Sequence, residues 1–453
     1  MHDLSTTLAA VASAPGRGGV GCVRISGPDA YEIAQGLFSS RRSFELPGDG
    51  RPRFGRFLDG DGRPLDHGYL VAFSGERAYT GEPTVELWPH GSPPVLDALT
   101  RAAVAKGAVL AGPGEFSYRA LRRGRLDLAR AEAVRDLVSA RTSYQARVAF
   151  AQLEGALSRR LAPLKEALVD LMARGEAAIE FAEEAETHLE MGGMDPGVKA
   201  ALGLAQALLN EARRGRVVRE GALVALSGAT SVGKSTLFNR LLGRDRAIVS
   251  PVPGTTRDTL EETLALDGVP ITLVDTAGVR KVEDALEAEG VRRARAAARE
   301  ADVVILVLDA SRSLEGDERD ALSGIEARDG AKIIVVANKV DLLPAAGTPS
   351  LPWPSALPLS AHTGEGFEAL RAAIRSAVYG APAEDPVLTN ARHAAAIEST
   401  VAAIARARDA QPMGEEIVLE ELRAAATALG EITGEIGNED LYDRIFSTFC
   451  IGK

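Results

Sequence analysis

The residues of this chain whose spacing suits chemistry begin with Gly228-Ala229-Thr230-Ser231-Val232-Gly233-Lys234-Ser235, which fits the phosphate-loop pattern G-x-x-x-x-G-K-[ST]. The run follows an apolar strand-like stretch, Ala222–Ser227, and precedes a helical one, Thr236–Leu242. Glycines in such a loop let backbone N–H groups wrap a phosphate, and the helix N-terminus adds positive potential. Lys234 is then the charge that neutralises β- and γ-phosphates, and Ser235 the Mg2+ ligand. Gly228, Ser231, Val232, Gly233 and Thr236 complete the expected cradle.

Further motifs follow in the order a GTP site needs. Asp275-Thr276-Ala277-Gly278 ends the apolar run Ile271–Val274, which places a carboxylate by the metal and a flexible Gly278 by the γ-phosphate. Asn338-Lys339-Val340-Asp341 ends Ile333–Ala337. The Asp341 carboxylate can accept hydrogen bonds from guanine N1–H and the 2-amino group. Adenine offers no donors there and would leave a buried carboxylate unpaired, at a cost of ~1–3 kcal/mol. Ser360-Ala361 supplies a backbone N–H for the guanine carbonyl, and Gly254-Thr255-Thr256-Arg257-Asp258 lies where a switch loop carries its Mg2+-binding Thr, here Thr256. An ATPase conflicts with Asn338–Asp341. One group is missing: Ras-like enzymes follow Asp-Thr-Ala-Gly with a water-positioning Gln, and here that position is Val279. Glu287, in the acidic stretch Glu283–Glu289, is the candidate for orienting or activating water; by residue type alone it reads more readily as a solvated helix charge.

These loops need a mostly parallel α/β sheet, predicted from Leu223–Leu226, Ile271–Val274, Val303–Leu308, Ile333–Ala337 and Leu357–Leu359 alternating with helical runs. On either side the texture is Ala-, Leu-, Glu- and Arg-rich. Leu157, Leu161, Leu164, Leu168 and Leu171 share one helix face, as do Val418, Leu422, Ala425, Leu429 and Ile432, with a shorter stripe at Ile397, Val401 and Ile404. These mark helix-bundle core. The first stretch is Gly- and Pro-rich, with β-type runs at Gly21–Ile25, Tyr69–Phe73 and Thr84–Trp88 and a turn cluster at Asp59-Gly60-Asp61-Gly62. The expected fold is multidomain α/β plus all-α. It comprises an N-terminal α+β domain (1–118), a discontinuous helical domain (119–215 and 383–453) and an inserted Ras-like P-loop G domain (216–382).

A length of 453 residues suits about three domains of ~150 residues. The net charge of −11 argues against a whole-surface nucleic-acid coat. The clusters Arg119, Arg122, Arg123, Arg125 and Arg213, Arg214, Arg216, Arg219 could meet tRNA phosphates, but most of them read better as solvated helix ends. Two cysteines far apart, Cys22 and Cys450, imply no disulfide framework and a reducing compartment. Cys22 reads as core, and Cys450 as either a small buried hydrophobe or a reactive thiol. The six His have no metal-ligand spacing. With neither a signal-like start nor a long apolar run, the expectation is a cytoplasmic chain off the membrane.

The whole chain resembles the MnmE (TrmE) family of tRNA modification GTPases. The resemblance rests on Pro15–Gly21, Arg24-Ile25-Ser26-Gly27, Thr80-Gly81-Glu82, His90-Gly91, Pro113-Gly114-Glu115-Phe116-Ser117, Leu126–Ala129, Gly254–Asp258 and the ending Phe449-Cys450-Ile451-Gly452-Lys453. It implies a homodimer held by N-terminal domains that bind a tetrahydrofolate one-carbon derivative, with Arg24, Glu86, Arg125 and Lys453 at folate-contacting positions. Arg125 stands where the family usually has Lys. It also implies a flavin- and NADH-dependent partner, MnmG, in a hetero-tetramer or larger assembly. Together they install a carboxymethylaminomethyl group at carbon 5 of wobble uridine in certain tRNAs. Glu287 matches the family's catalytic Glu and Cys450 its functional Cys.

The resemblance further implies a K+ ion acting like an arginine finger, held by Ser231, Ser250, Val252 and Thr255. Ser231 occupies the place of a usual Asn, and Pro251 and Pro253 flank the loop that supplies carbonyls. A shorter side chain there predicts a weaker hold on K+. The rival reading is a GTP-regulated switch of the ribosome-assembly type, from which the N-terminal signature and the Cys-Ile-Gly-Lys ending separate this chain.

Overall fold

The computed structural model describes residues 3–40, 46, 48–180, 195–245, 261–275, 299–313, 330–343, 355–379, 387–435 and 439–452. The chain divides into two compact units. The first comprises Met1–Arg135, Gln152–Ser158 and Thr427–Lys453; the second comprises Asp136–Ala151 and Arg159–Ala426.

The first unit is built on β1 (Leu8–Val11), β2 (Val23–Ser26), β3 (Phe38–Ser39), β4 (Asp49–Leu58), β5 (Pro64–Phe73), β6 (Thr84–Trp88) and β7 (Val109–Leu110). They form one sheet in the order β3-β4-β5-β6-β2-β1-β7. All neighbours are antiparallel except β1 and β7. The Asp59–Gly62 cluster turns β4 into β5, and Asp59 Oδ1 accepts from the N–H groups of Asp61 and Arg63. Strand alternation sorts the two faces. Ile25, Leu70, Ala72, Val85 and Leu87 are buried with Ile33 from the helix Ala30–Gln35, Leu37 just after it, and Leu96 and Leu99 from the helix Pro93–Ala105. Glu86 and Trp88 therefore project from the opposite face.

A second cluster in this unit gathers Tyr118, Leu128, Tyr442, Phe446 and Phe449. It seats the helix Glu439–Phe446, after which Ile451 pairs with Pro113 in an isolated β-bridge. Arg119 corrects the expectation of solvated arginines. Its side chain is fully buried, 3.0 Å from Glu82, and donates to the carbonyls of Thr6 and Asp3. Burial of that charge is compensated because Glu82 and two carbonyls share it. Cys22 is buried, as its type predicts.

The second unit contains β8 (Ala222–Ser227), β9 (Glu261–Leu266), β10 (Val269–Asp275), β11 (Val303–Asp309), β12 (Lys332–Asn338) and β13 (Leu357–Pro358). The order is β13-β12-β11-β8-β10-β9, parallel throughout except for the β9–β10 hairpin. Every residue of the central strand β11 is buried, which explains its unbroken apolar run. The sequence reading missed β9, an edge strand of six residues. Its marker was Asp267-Gly268, both at positive φ (50° and 91°), the conformation of a tight hairpin turn.

In this unit the helix before the sheet, Asp195–Glu220, packs along Ala391–Asp409 after it. Glu211 links neighbouring segments, accepting from Arg160 at 2.9 Å and from the Val387 N–H at 3.1 Å. The leucine stripe of Ala156–Glu180 is buried as predicted, and so are Ile397 and Ile404, whereas Val401 is half-buried.

Candidate functional site

The glycine-rich run leaves β8 at Ser227 and enters the helix Lys234–Asp245. Gly228 (φ 141°) and Gly233 (φ 100°) supply backbone that other residues rarely adopt. Both also lie against neighbours: a Cβ at Gly233 would meet Asn338 Nδ2, and one at Gly228 the Val307 carbonyl. Val232 is buried beneath the loop, while Ser231, Ser235 and Thr236 are exposed. Ser231 adopts φ 63°, the left-handed region. The buried Lys234 folds back over the loop, its Nζ 2.7 Å from the Gly228 carbonyl and 2.5 Å from that of Ala229.

Asn338, at the end of β12, joins two loops. Its Nδ2 donates to the Val232 carbonyl at 2.8 Å, and its Oδ1 accepts from the Ala361 N–H, also at 2.8 Å. The N–H expected for the guanine carbonyl is thus engaged by Asn338. Ser360 is fully buried, and its hydroxyl accepts from the Thr363 N–H. Asp341 is exposed in a short 3-10 turn, Val340–Leu342, directly after Lys339 (φ 69°). Asp275 closes β10 in register with Leu226 of β8, one strand from the start of the phosphate loop. Of Asp275 only the backbone is described. Ser250, Val252, Thr255, Thr256, Gly278 and Glu287 lie outside the described residues.

Two residues escaped the sequence reading. Asp309, ending β11, receives Lys339 Nζ at 2.6 Å and both the N–H and the hydroxyl of Ser311. Burial opposes its charge, but the bonds from Lys339 and Ser311 outweigh it and hold its carboxyl below the usual range. Its only sequence signal was an acid closing a fully apolar strand. Arg240, on the helix after the phosphate loop, donates to the carbonyls of Ala361, His362 and Thr363. Nothing local marked it.

The first unit gathers a separate set. Arg24 on β2 stands opposite Glu86 on β6 and binds it through Nε at 3.0 Å and NH2 at 2.9 Å. Its guanidinium lies 5.8 Å from the Tyr79 ring centre and 5.5 Å from that of Phe116. NH1 reaches the Gly452 carbonyl at 3.3 Å, so the chain's last residues meet the pair. Burial raises the pKa of Tyr79, whose hydroxyl bonds Ser117. Trp88 Nε1 donates to the free oxygen of Glu86 at 3.2 Å. The stem of Arg125 lies against Gly81. Cys450 is exposed, and its carbonyl accepts weakly from the Gly114 N–H at 3.4 Å. Lys453 lies outside the described residues.

The family model of the MnmE helical domain matches residues 128–450, and that of the GTP-binding protein TrmE N-terminus matches residues 7–125. The tRNA modification GTPase MnmE of Methylococcus capsulatus is 43% identical over 453 residues, spanning 99% of this chain and 98% of that protein. The MnmE of Symbiobacterium thermophilum is 42% identical, spanning 99% of both. Among solved structures, Era of Aquifex aeolicus bound to GDP and AlF4− aligns with 40% of this chain and 66% of its own, at 28% identity and a TM-score of 0.28. With both family models and full-length relatives in agreement, the chain belongs to the MnmE family of tRNA modification GTPases.

Proposed function

We propose that this GTPase of tRNA modification works with a flavin- and NADH-dependent partner of the MnmG type to add a carboxymethylaminomethyl group to carbon 5 of wobble uridine in certain tRNAs. The observation that carries the nucleotide half is the Asn338 side chain. It ties the phosphate loop at Val232 to the loop at Ala361, setting the span that a nucleotide must bridge. In this reading Lys234 and the loop N–H groups hold the phosphates, Asn338 and Asp341 hold guanine beside the Ser360–Ala361 loop, and Glu287 orients the water. Ser235 with Thr256 would hold Mg2+, which supplies charge neutralisation on the phosphates. Ser235, exposed in the first helical turn, suits that place. K+ would be held by Ser231, Ser250, Val252 and Thr255, and the exposed Ser231 hydroxyl on a left-handed backbone is compatible with it.

The one-carbon folate would lie at Arg24 and Glu86, with Arg125 and Lys453 as further contacts. A charged pair whose guanidinium lies over the Tyr79 and Phe116 rings offers polar partners for a pterin-like ring. The folate supplies the one-carbon unit, and Cys450 is the candidate nucleophile of the modification centre. A homodimer through the N-terminal units is supported by a row of exposed aromatics. Phe54, Tyr69 and Trp88 stand opposite one another across β4, β5 and β6, at 60%, 52% and 40% exposure, an apolar surface that a second copy would cover. The domain limits 1–118, 119–215, 216–382 and 383–453 and a cytoplasmic location complete the proposal. Among the described residues no helix is long and apolar enough to cross a membrane. Nucleoside analysis of tRNA from cells lacking this protein tests the whole: the modified wobble uridine should disappear, and its persistence would refute the reading.

A further inference from the structure

Arg240 lies six residues past Lys234 on the same helix, about 9 Å along its axis at 1.5 Å per residue. Its guanidinium donates through NH1 to the carbonyls of Ala361 (3.0 Å) and His362 (2.9 Å), and through NH2 to that of Thr363 (2.8 Å). Three successive carbonyls turned onto one planar fork fix the peptides of that loop, a task a point-charge ammonium performs less well. The turn is closed by the Gly364 N–H on the Ser360 carbonyl at 2.8 Å. Gly364, at φ 93°, leaves the fork its space, since a Cβ there would meet Arg240 NH2 at 2.5 Å.

The contacts form a ring. From Arg240 the path runs to Ala361, from the Ala361 N–H to Asn338, from Asn338 to the Val232 carbonyl, and back through the phosphate loop into the helix that carries Arg240. We infer that Arg240 is a positioning residue for guanine recognition: it clamps the base-side loop to the helix that holds the phosphates, so that one rigid body presents both ends of the site. This rests on reading Asp341 and the Ser360–Ala361 loop as the base site.

The test titrates the full chain with GTP, xanthosine triphosphate and inorganic triphosphate, a probe that engages only the phosphate loop. Arg240→Gln should weaken GTP about tenfold, ~1.4 kcal/mol, and leave inorganic triphosphate unchanged. The loss should fall on KM for GTP rather than on kcat, and Arg240→Lys should recover part of it. Gly364→Ala, which crowds the fork and also strains a backbone at φ 93°, should show the same defect, and the partial recovery by Arg240→Lys decides the matter if Arg240→Gln does not fold. An equal loss on GTP and inorganic triphosphate, or unchanged GTP affinity in a folded variant, overturns the clamp. The base-site reading has its own control: Asp341→Asn should favour xanthosine triphosphate over GTP. If that reversal occurs and the Arg240 variants bind GTP like the wild type, only the clamp is wrong. If no reversal occurs, the base site itself is misassigned.

Discussion

The Asn338 amide donates to the Val232 carbonyl across 2.8 Å, inside a side chain only 2% exposed. The same side chain accepts from Ala361, so neither link can be replaced by water without opening the loop pair. Asn338→Ala strands a carbonyl and an N–H, each costing ~1–3 kcal/mol when left unmade. GTP affinity is expected to fall by roughly tenfold to a hundredfold. Asn338→Asp should bind less tightly still, because its carboxylate keeps the acceptor for Ala361 but turns an oxygen toward the Val232 carbonyl. Calorimetric titration of both variants checks the order, and an Asp variant that binds better than the Ala variant contradicts it.

Much of this site was legible because its residues sit where strands end. Gly228, Asp275 and Asn338 follow or close the apolar runs β8, β10 and β12, and the spacing of each motif marks it locally. What stayed hidden depends on chain reversal through the fold. Arg240 meets Ala361 across 121 positions, and Arg24 meets Gly452 across 428. No local pattern encodes such a meeting. Arg119 was misjudged for the same reason: in sequence it is one arginine in a basic cluster, and only the fold brings Glu82 to it. The edge strand β9 was overlooked because six residues alternate too briefly to be distinctive.

Asp309 and Lys339 predict an acid sensitivity. The carboxyl of Asp309 is held below its ordinary value, so its contribution to stability is present above the unfolded pKa, about 3.9, and is lost as pH falls through the folded one. Asp309→Asn should cost on the order of 1–3 kcal/mol near neutrality, short of a fully buried pair because the Lys339 side chain is 29% exposed. Thermal melts of both proteins should differ by a steady amount above about pH 5 and draw together only as the pH falls below about 4 toward the folded value. A gap that is constant from pH 7 to pH 3 would remove the ion pair from the explanation.

Turnover and modification should come apart by mutation. Cys450 is exposed and its recorded contact is made by the backbone, so Cys450→Ser should change stability by less than ~0.5 kcal/mol. GTP hydrolysis should stay near wild type while wobble modification is lost. Glu287→Ala should do the converse at the nucleotide: normal binding, slow turnover. A Cys450→Ser protein that restores the modified nucleoside in a deletion strain would show the thiol to be dispensable.

Ser231 carries the sharpest test of ion activation. Its backbone is left-handed at φ 63°, a region in which Asn is several-fold enriched over other non-glycine residues. Ser231→Asn therefore adds no backbone strain, whereas Ser231→Val, branched at Cβ, should destabilise the loop. The Asn amide oxygen reaches one bond further than the Ser hydroxyl, toward a cation beside the phosphates. Loss of an arginine-finger-like charge altogether would cost ~10³–10⁵ in turnover. Loop carbonyls and phosphate oxygens would still hold the ion with Ser231 in place, so the expected deficit is in K+ affinity and not in turnover at saturating K+. GTP turnover is measured against KCl, with NaCl balancing ionic strength so that screening stays constant. Ser231→Asn should move the midpoint to lower KCl and leave the plateau alone. Equal turnover in pure NaCl, with no effect of the Asn substitution, would mean that this chain hydrolyses GTP without an ion finger.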